Sequence, residues 1–105
     1  MTLPPLDLSL IHYRPDTMET DIAYVADVTG RPPLTQVGLF YALLSKPGMT
    51  LHKVTLARML EDVTGYGDHH DLPTVVKRGR KHLVKVGLGW KIVTVWGVGY
   101  ALHLT

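Results

Sequence analysis

Lys77, Arg78, Lys81 and Lys85 are spaced so that, at about 100° per residue, they share one side of a helix. The opposite side collects Leu72, Val75, Val76, Gly79, Leu83 and Val86. Such a helix has an apolar face for a core and a cationic face for something negative. All nine acidic residues of the 105-residue chain precede residue 72, so residues 72–105 carry six Lys or Arg and no Asp or Glu. The net charge of +2 therefore divides into about −4 over residues 1–71 and +6 over the rest, a distribution that attracts a polyanion. Nucleic acid is the leading class, although an acidic protein or a lipid surface would meet the same field.

Against a duplex, each side chain has a distinct chemistry. A major groove admits a helix, and the planar fork of Arg78 can donate two hydrogen bonds to one guanine edge. Lys77, Lys81 and Lys85 suit phosphates, which position a protein without specifying sequence. Thr74 near the helix start and Arg80 at its flank complete the set of contact residues. Trp96 could stack on sugar or an exposed base, wedge into a groove, cap the core or meet a protein partner. The plain alternative is an ordinary solvated basic face; the long acid-free stretch weighs against it.

Catalysis finds little support. No helix face pairs carboxylates, no phosphate-cradling glycine loop precedes a lysine, and Ser9 and Ser45 lack convincing histidine and acid partners. Asp68, His69, His70 and Asp71 include metal-donor types but crowd one short loop, without the His-x-x-x-His spacing or soft ligands of a zinc site. We expect no enzyme, no cofactor and no metal. The chain has no cysteine, which excludes disulfides and thiolate sites and permits a reducing compartment. No apolar run reaches transmembrane length, and Met1-Thr-Leu-Pro-Pro-Leu-Asp lacks the features of a signal peptide. The expectation is a soluble cytoplasmic protein that does not engage membrane.

The elements that must hold these groups follow from pattern and punctuation. At 46% hydrophobic and 19% charged, residues 1–105 suit one domain with one modest core. Leu8 to Tyr13 and Ile22 to Val28 read as two antiparallel strands, so the N-terminal region over about 8–28 is expected to be scaffold. A helical period then begins at Thr35, a plausible N-cap, and predicts a helix over 36–46, ended by Lys46-Pro47-Gly48. A second helix is expected over 52–63, with Thr50 or His52 near its start, ended by Gly65 and Gly67. The basic helix is expected over 72–86, with Asp71 as N-cap and Pro73 tolerated in the first turn. Strands flanking Trp96-Gly97-Val98-Gly99 predict a hairpin over 91–103, with Tyr100 and Leu102 toward the core. The whole is an α+β winged helix-turn-helix: a three-helix core, an N-terminal antiparallel strand pair or small sheet, and a C-terminal β-hairpin wing.

At this point the residues resemble a known family, the winged-helix effector domain of OmpR- and PhoB-type response regulators. Ile92-Val-Thr-Val-Trp-Gly-Val-Gly-Tyr-Ala-Leu102 is similar to the family's hairpin signature ending in Arg-Gly-x-Gly-Tyr. Leu34-Thr35 with Leu39, then Pro47-Gly48 with Leu56 and Leu60, resemble the first helix, the turn and the second helix. Leu72, Val76 and Leu83 with intervening basic residues resemble the recognition helix, and the likeness covers about residues 22–105. Three departures are specific. Trp96 stands where the family usually has the wing arginine, Gly79 where it has a core leucine, and Glu61 where a tryptophan is common. The resemblance implies a sequence-selective double-stranded DNA-binding transcriptional regulator. It also implies an RNA polymerase contact around Tyr66, His69 and His70. The family's phosphorylatable receiver domain is not expected within these 105 residues, and the expected source is a phage or mobile element. Two copies side by side on DNA would select a repeated or palindromic site. The alternatives are a protein-binding winged-helix module acting on polymerase or a host regulator, and a non-specific architectural DNA binder.

Overall fold

The most apolar helix lies at the centre of the molecule. In α2 (Leu34–Leu44) every residue from Val37 to Leu44 is buried, because the sequence LTQVGLFYALL leaves the helix no polar side to turn toward water. The computed structural model describes residues 3–65 and 71–104. Packed against α2 are α1 (Met18–Val28), α3 (Lys53–Thr64) and α4 (Leu72–Lys85). A three-stranded antiparallel sheet meets α2, α3 and α4; its order is β1–β3–β2, from β1 (Leu51–His52), β2 (Lys91–Val95) and β3 (Gly99–His103). A helical core completed by a C-terminal hairpin is the winged-helix plan.

The N-terminal region departs from expectation. The two antiparallel strands anticipated over 8–28 are not present: Leu8–Leu10 is a short 3-10 turn and Met18–Val28 is helix α1, so the core has four helices instead of three. A short apolar run such as Ile22 to Val28 does not by itself separate strand from helix. What decides is the wider spacing. Asp21, Val25 and Val28 are buried and Ile22 and Met18 pack on the core beside them, a three-to-four-residue repeat that puts one face of α1 on α2. Glu19 and Asp21 in the first turn also favour the positive end of the helix dipole.

Each helix bearing on the site has an identifiable start. Leu34 rather than Thr35 begins α2, and Pro33 occupies the N-cap with no side-chain bond, which corrects the capping role expected of Thr35. His52 caps α3 by accepting a hydrogen bond on Nδ1 from the Val54 amide at 3.1 Å. Asp71 occupies the N-cap of α4, where its carboxylate accepts from Thr74 Oγ1 at 2.6 Å. Leu72, Val75, Val76, Gly79 and Leu83 are the buried residues of α4. Gly79 packs tightly on α2: a Cβ there would lie 2.9 Å from Leu39 Cδ2. The family's core leucine has no space at this position, because Leu39 already fills it.

The N-terminal segment is strapped down by phenols. Tyr41, buried in α2, donates to the His12 carbonyl at 2.5 Å, and Tyr13 donates to the Asp62 carboxylate on α3. Burial first, then the Asp62 hydrogen bond, raises the Tyr13 pKa; burial first, then the charge of Asp21, raises that of Tyr41. Unfolded phenols ionise near pH 10. The protonated folded form is therefore favoured: its contribution is complete below pH 10 and is lost as pH climbs from there toward the raised folded values. Thermal melts should show stability falling above pH 10 in the wild type. The Tyr41→Phe protein should start about 1 kcal/mol lower at neutral pH and fall less steeply. Parallel pH profiles would contradict this account.

Candidate nucleic-acid interface

The structure brings Lys77, Arg78, Lys81 and Lys85 onto the exposed side of α4, with the buried residues of that helix turned toward α2. Among the described residues the ion pairs are His12–Asp21 and Arg31–Asp27, so none of these four cations is consumed internally. His82, in contrast, belongs to the scaffold, its Nε2 lying 2.5 Å from the Thr29 carbonyl and tying α4 to the end of α1.

Arg80 sits differently from its neighbours. Its Nε donates to the Ile92 carbonyl at 2.9 Å and its Nη2 to Thr94 Oγ1 at 2.8 Å. The side chain remains exposed, but two of its donors are committed to β2. It therefore acts first as a brace that sets the hairpin against α4. Thr74 is half-buried and gives its hydroxyl hydrogen to Asp71, leaving only acceptor capacity.

The hairpin is held at its other edge too. Leu51 pairs with Tyr100 and His52 with Gly99, and the Lys53 amide donates to the Val98 carbonyl at 3.0 Å. Leu102 and Ala101 are buried and Tyr100 packs on the core, as their positions in the central strand require. The tip is Trp96-Gly97-Val98, closed by the Val98 amide donating to Val95 at 3.0 Å, with Gly97 at φ +77°. Trp96 is 90% exposed there.

Some surface features were not anticipated. Val84 is 77% exposed on the cationic side of α4, between Lys81 and Lys85. The same 100° arithmetic that gathered the core positions excludes Val84 from them, so the signal was present. Val54 and Val98 are 50% and 41% exposed beside Trp96, and these three help line a groove of about 550 Å³ between α3, the start of α4 and the hairpin. Lys53, Arg58 and Glu61 also line this groove. That surface is assembled from three separate parts of the chain, which no local pattern reveals. Tyr66, His69 and His70 lie outside the described residues. Among the described residues no group of His, Asp or Glu is placed to hold a metal ion, and no helix is long and apolar enough to cross a membrane.

Comparison with protein families gives a match over residues 33–102 to the family described as "Transcriptional regulatory protein, C terminal". The match runs from the start of α2 through β3, and so includes the cationic helix and the hairpin. No individual curated protein matches the chain.

Proposed function

We propose, from the premise that this chain belongs to the OmpR/PhoB-type family of transcriptional regulatory protein C-terminal domains, that it is a regulator selecting particular double-stranded DNA sequences. A DNA-binding regulatory role comes with the family; sequence selection is the further step. The observation that carries it is the face of α4, where four exposed cations that form no ion pair among the described residues stand opposite the buried side of the helix. In this reading α4 lies in the major groove, Arg78 meets a base edge, and Lys77, Lys81 and Lys85 hold phosphates. The hairpin, fixed to α4 by Arg80, reaches the neighbouring minor groove. This role places the protein with the DNA of the cytoplasm.

The test is selection from a random duplex library at physiological salt. Enrichment of a short motif supports the reading, and a repeated or palindromic motif adds two copies side by side. Uniform retention favours an architectural binder. The apolar groove beside Trp96 gives the protein-binding alternative its footing, and no retention at any reachable concentration would favour it. On the enriched motif, Arg78→Ala should lose about 1–3 kcal/mol of discrimination at one base pair, with the remaining positions still read. Equal losses on every sequence would reassign Arg78 to a phosphate.

A further inference from the structure

We propose that the hairpin tip is a rigid apolar wedge, in which Trp96 backed by Val98 enters a minor-groove base step and kinks the duplex. The inference rests on the DNA-binding reading above and concerns how the wing acts within it.

Charge decides first. No Lys or Arg occurs between Ile92 and the end of the chain. The nearest cation along β2 is Lys91, paired with His103 at the far end of the hairpin. Four residues of strand separate it from Val95, about 13 Å at the usual rise, which exceeds the screening length at physiological salt. The turn itself, Trp96-Gly97-Val98, therefore carries no charge with which to neutralise a phosphate; the cations beside it, Lys53 and Arg58 across the groove and Arg80 at Thr94, stand on α3 and α4. What the turn does bring is apolar surface, Trp96 at 90% and Val98 at 41% exposure on either side of Gly97. A duplex offers few apolar counterparts. Sugar edges are small, and the large ones are the stacked faces of base pairs, which become accessible when a step opens. The indole N–H can at the same time donate to the acceptors that every A·T pair presents in the minor groove.

Rigidity decides second. A wedge must not fold away when it meets resistance. The Lys53 amide holds the Val98 carbonyl from the α3 side, and Arg80 holds Ile92 and Thr94 from the α4 side. With α4 seated in the major groove, the tip therefore stands at a set distance from the bases that α4 reads. The step it opens should lie at a constant offset from the α4 motif and should favour TA or CA/TG, the steps that unstack most easily.

The experiment uses the full chain on its enriched duplex. End-to-end fluorescence transfer reports bending, and 2-aminopurine scanned through the flanking steps reports unstacking. The wild type should bend the duplex and brighten one position at the expected offset. Trp96→Ala should melt at the wild-type temperature, abolish the bend and weaken binding about tenfold, with the α4 motif unchanged. Trp96→Arg replaces the ring with a minor-groove cation and should retain most of the affinity while leaving the duplex straight. If the wild type selects a duplex but leaves it straight, or Trp96→Ala binds and bends like the wild type, the wedge is overturned. If the wild type selects no duplex, the DNA reading itself fails. Should Trp96→Ala unfold, the Trp96→Arg bend measurement still decides.

Discussion

Gly99→Ala is expected to destabilise the protein by about 3 kcal/mol or more, because the added methyl group meets backbone on every near side. A Cβ at residue 99 would be driven into the Leu51 carbonyl oxygen, and would lie 2.9 Å from both the Leu51 carbonyl carbon and the Lys53 nitrogen. All three are backbone atoms, so no rotamer change relieves the overlap, and β1 would have to leave β3. Separating them loses the pairing of His52 with Gly99 and the Lys53 bond to Val98, and shifts the His52 cap of α3. A domain of this size has a total stability of about 5–15 kcal/mol. The melting temperature should fall by on the order of 15–20 °C. Gly97→Ala is the control: nothing lies within 4 Å of its added methyl, and the φ of +77° is the source of its cost. That cost should be about 1 kcal/mol. Equal melting of the Gly99→Ala and wild-type proteins would show that the strands are not so closely apposed.

Glycines also mark where sequence reasoning reached and where it stopped. The apolar sector of α4 and the turn at Trp96-Gly97-Val98 were legible because each is a local pattern, a period or a turn signal bounded by breakers. Gly79 falls in that apolar sector for the same reason, but that its partner is Leu39 depends on how α2 crosses α4, which is a tertiary fact. Over 8–28 the local pattern misleads, because Ile22 to Val28 satisfies a strand pattern by itself; the burial of Asp21, Val25 and Val28 on the side packed against α2 belongs to a helix. Arg80 shows the same limit at the candidate site. In sequence it is one more cation in a basic run, and only the folded hairpin supplies the Ile92 carbonyl and Thr94 hydroxyl that engage it. The turn signal puts Trp96 at the tip, but that the tip is held in place follows only from the bonds that Lys53 and Arg80 make to the folded hairpin.

Replacing both Lys77 and Lys81 by Gln should weaken binding to every duplex by roughly 30-fold near 0.15 M salt, about 2 kcal/mol, while leaving the enriched motif the same. Both side chains are exposed on α4, and Gln retains most of the stem and nearly the same helix propensity, so the melting temperature should hold. The loss has a specific origin. Each phosphate neutralised releases condensed counterions, and the log–log dependence of affinity on salt changes by roughly 0.9 per contact. Two contacts account for a reduction in slope of about 1.8, and over the interval from 1 M to 0.15 M that difference becomes the 30-fold. The double variant should therefore approach the wild type as salt rises, the two lines meeting near 1 M. Arg78→Ala should behave in the opposite manner, with its loss confined to one base pair and persisting at high salt. If the lysine pair leaves both affinity and slope untouched, this face of α4 does not lie on DNA. The acid-free stretch would then be an ordinary solvated surface or the seat of an acidic protein.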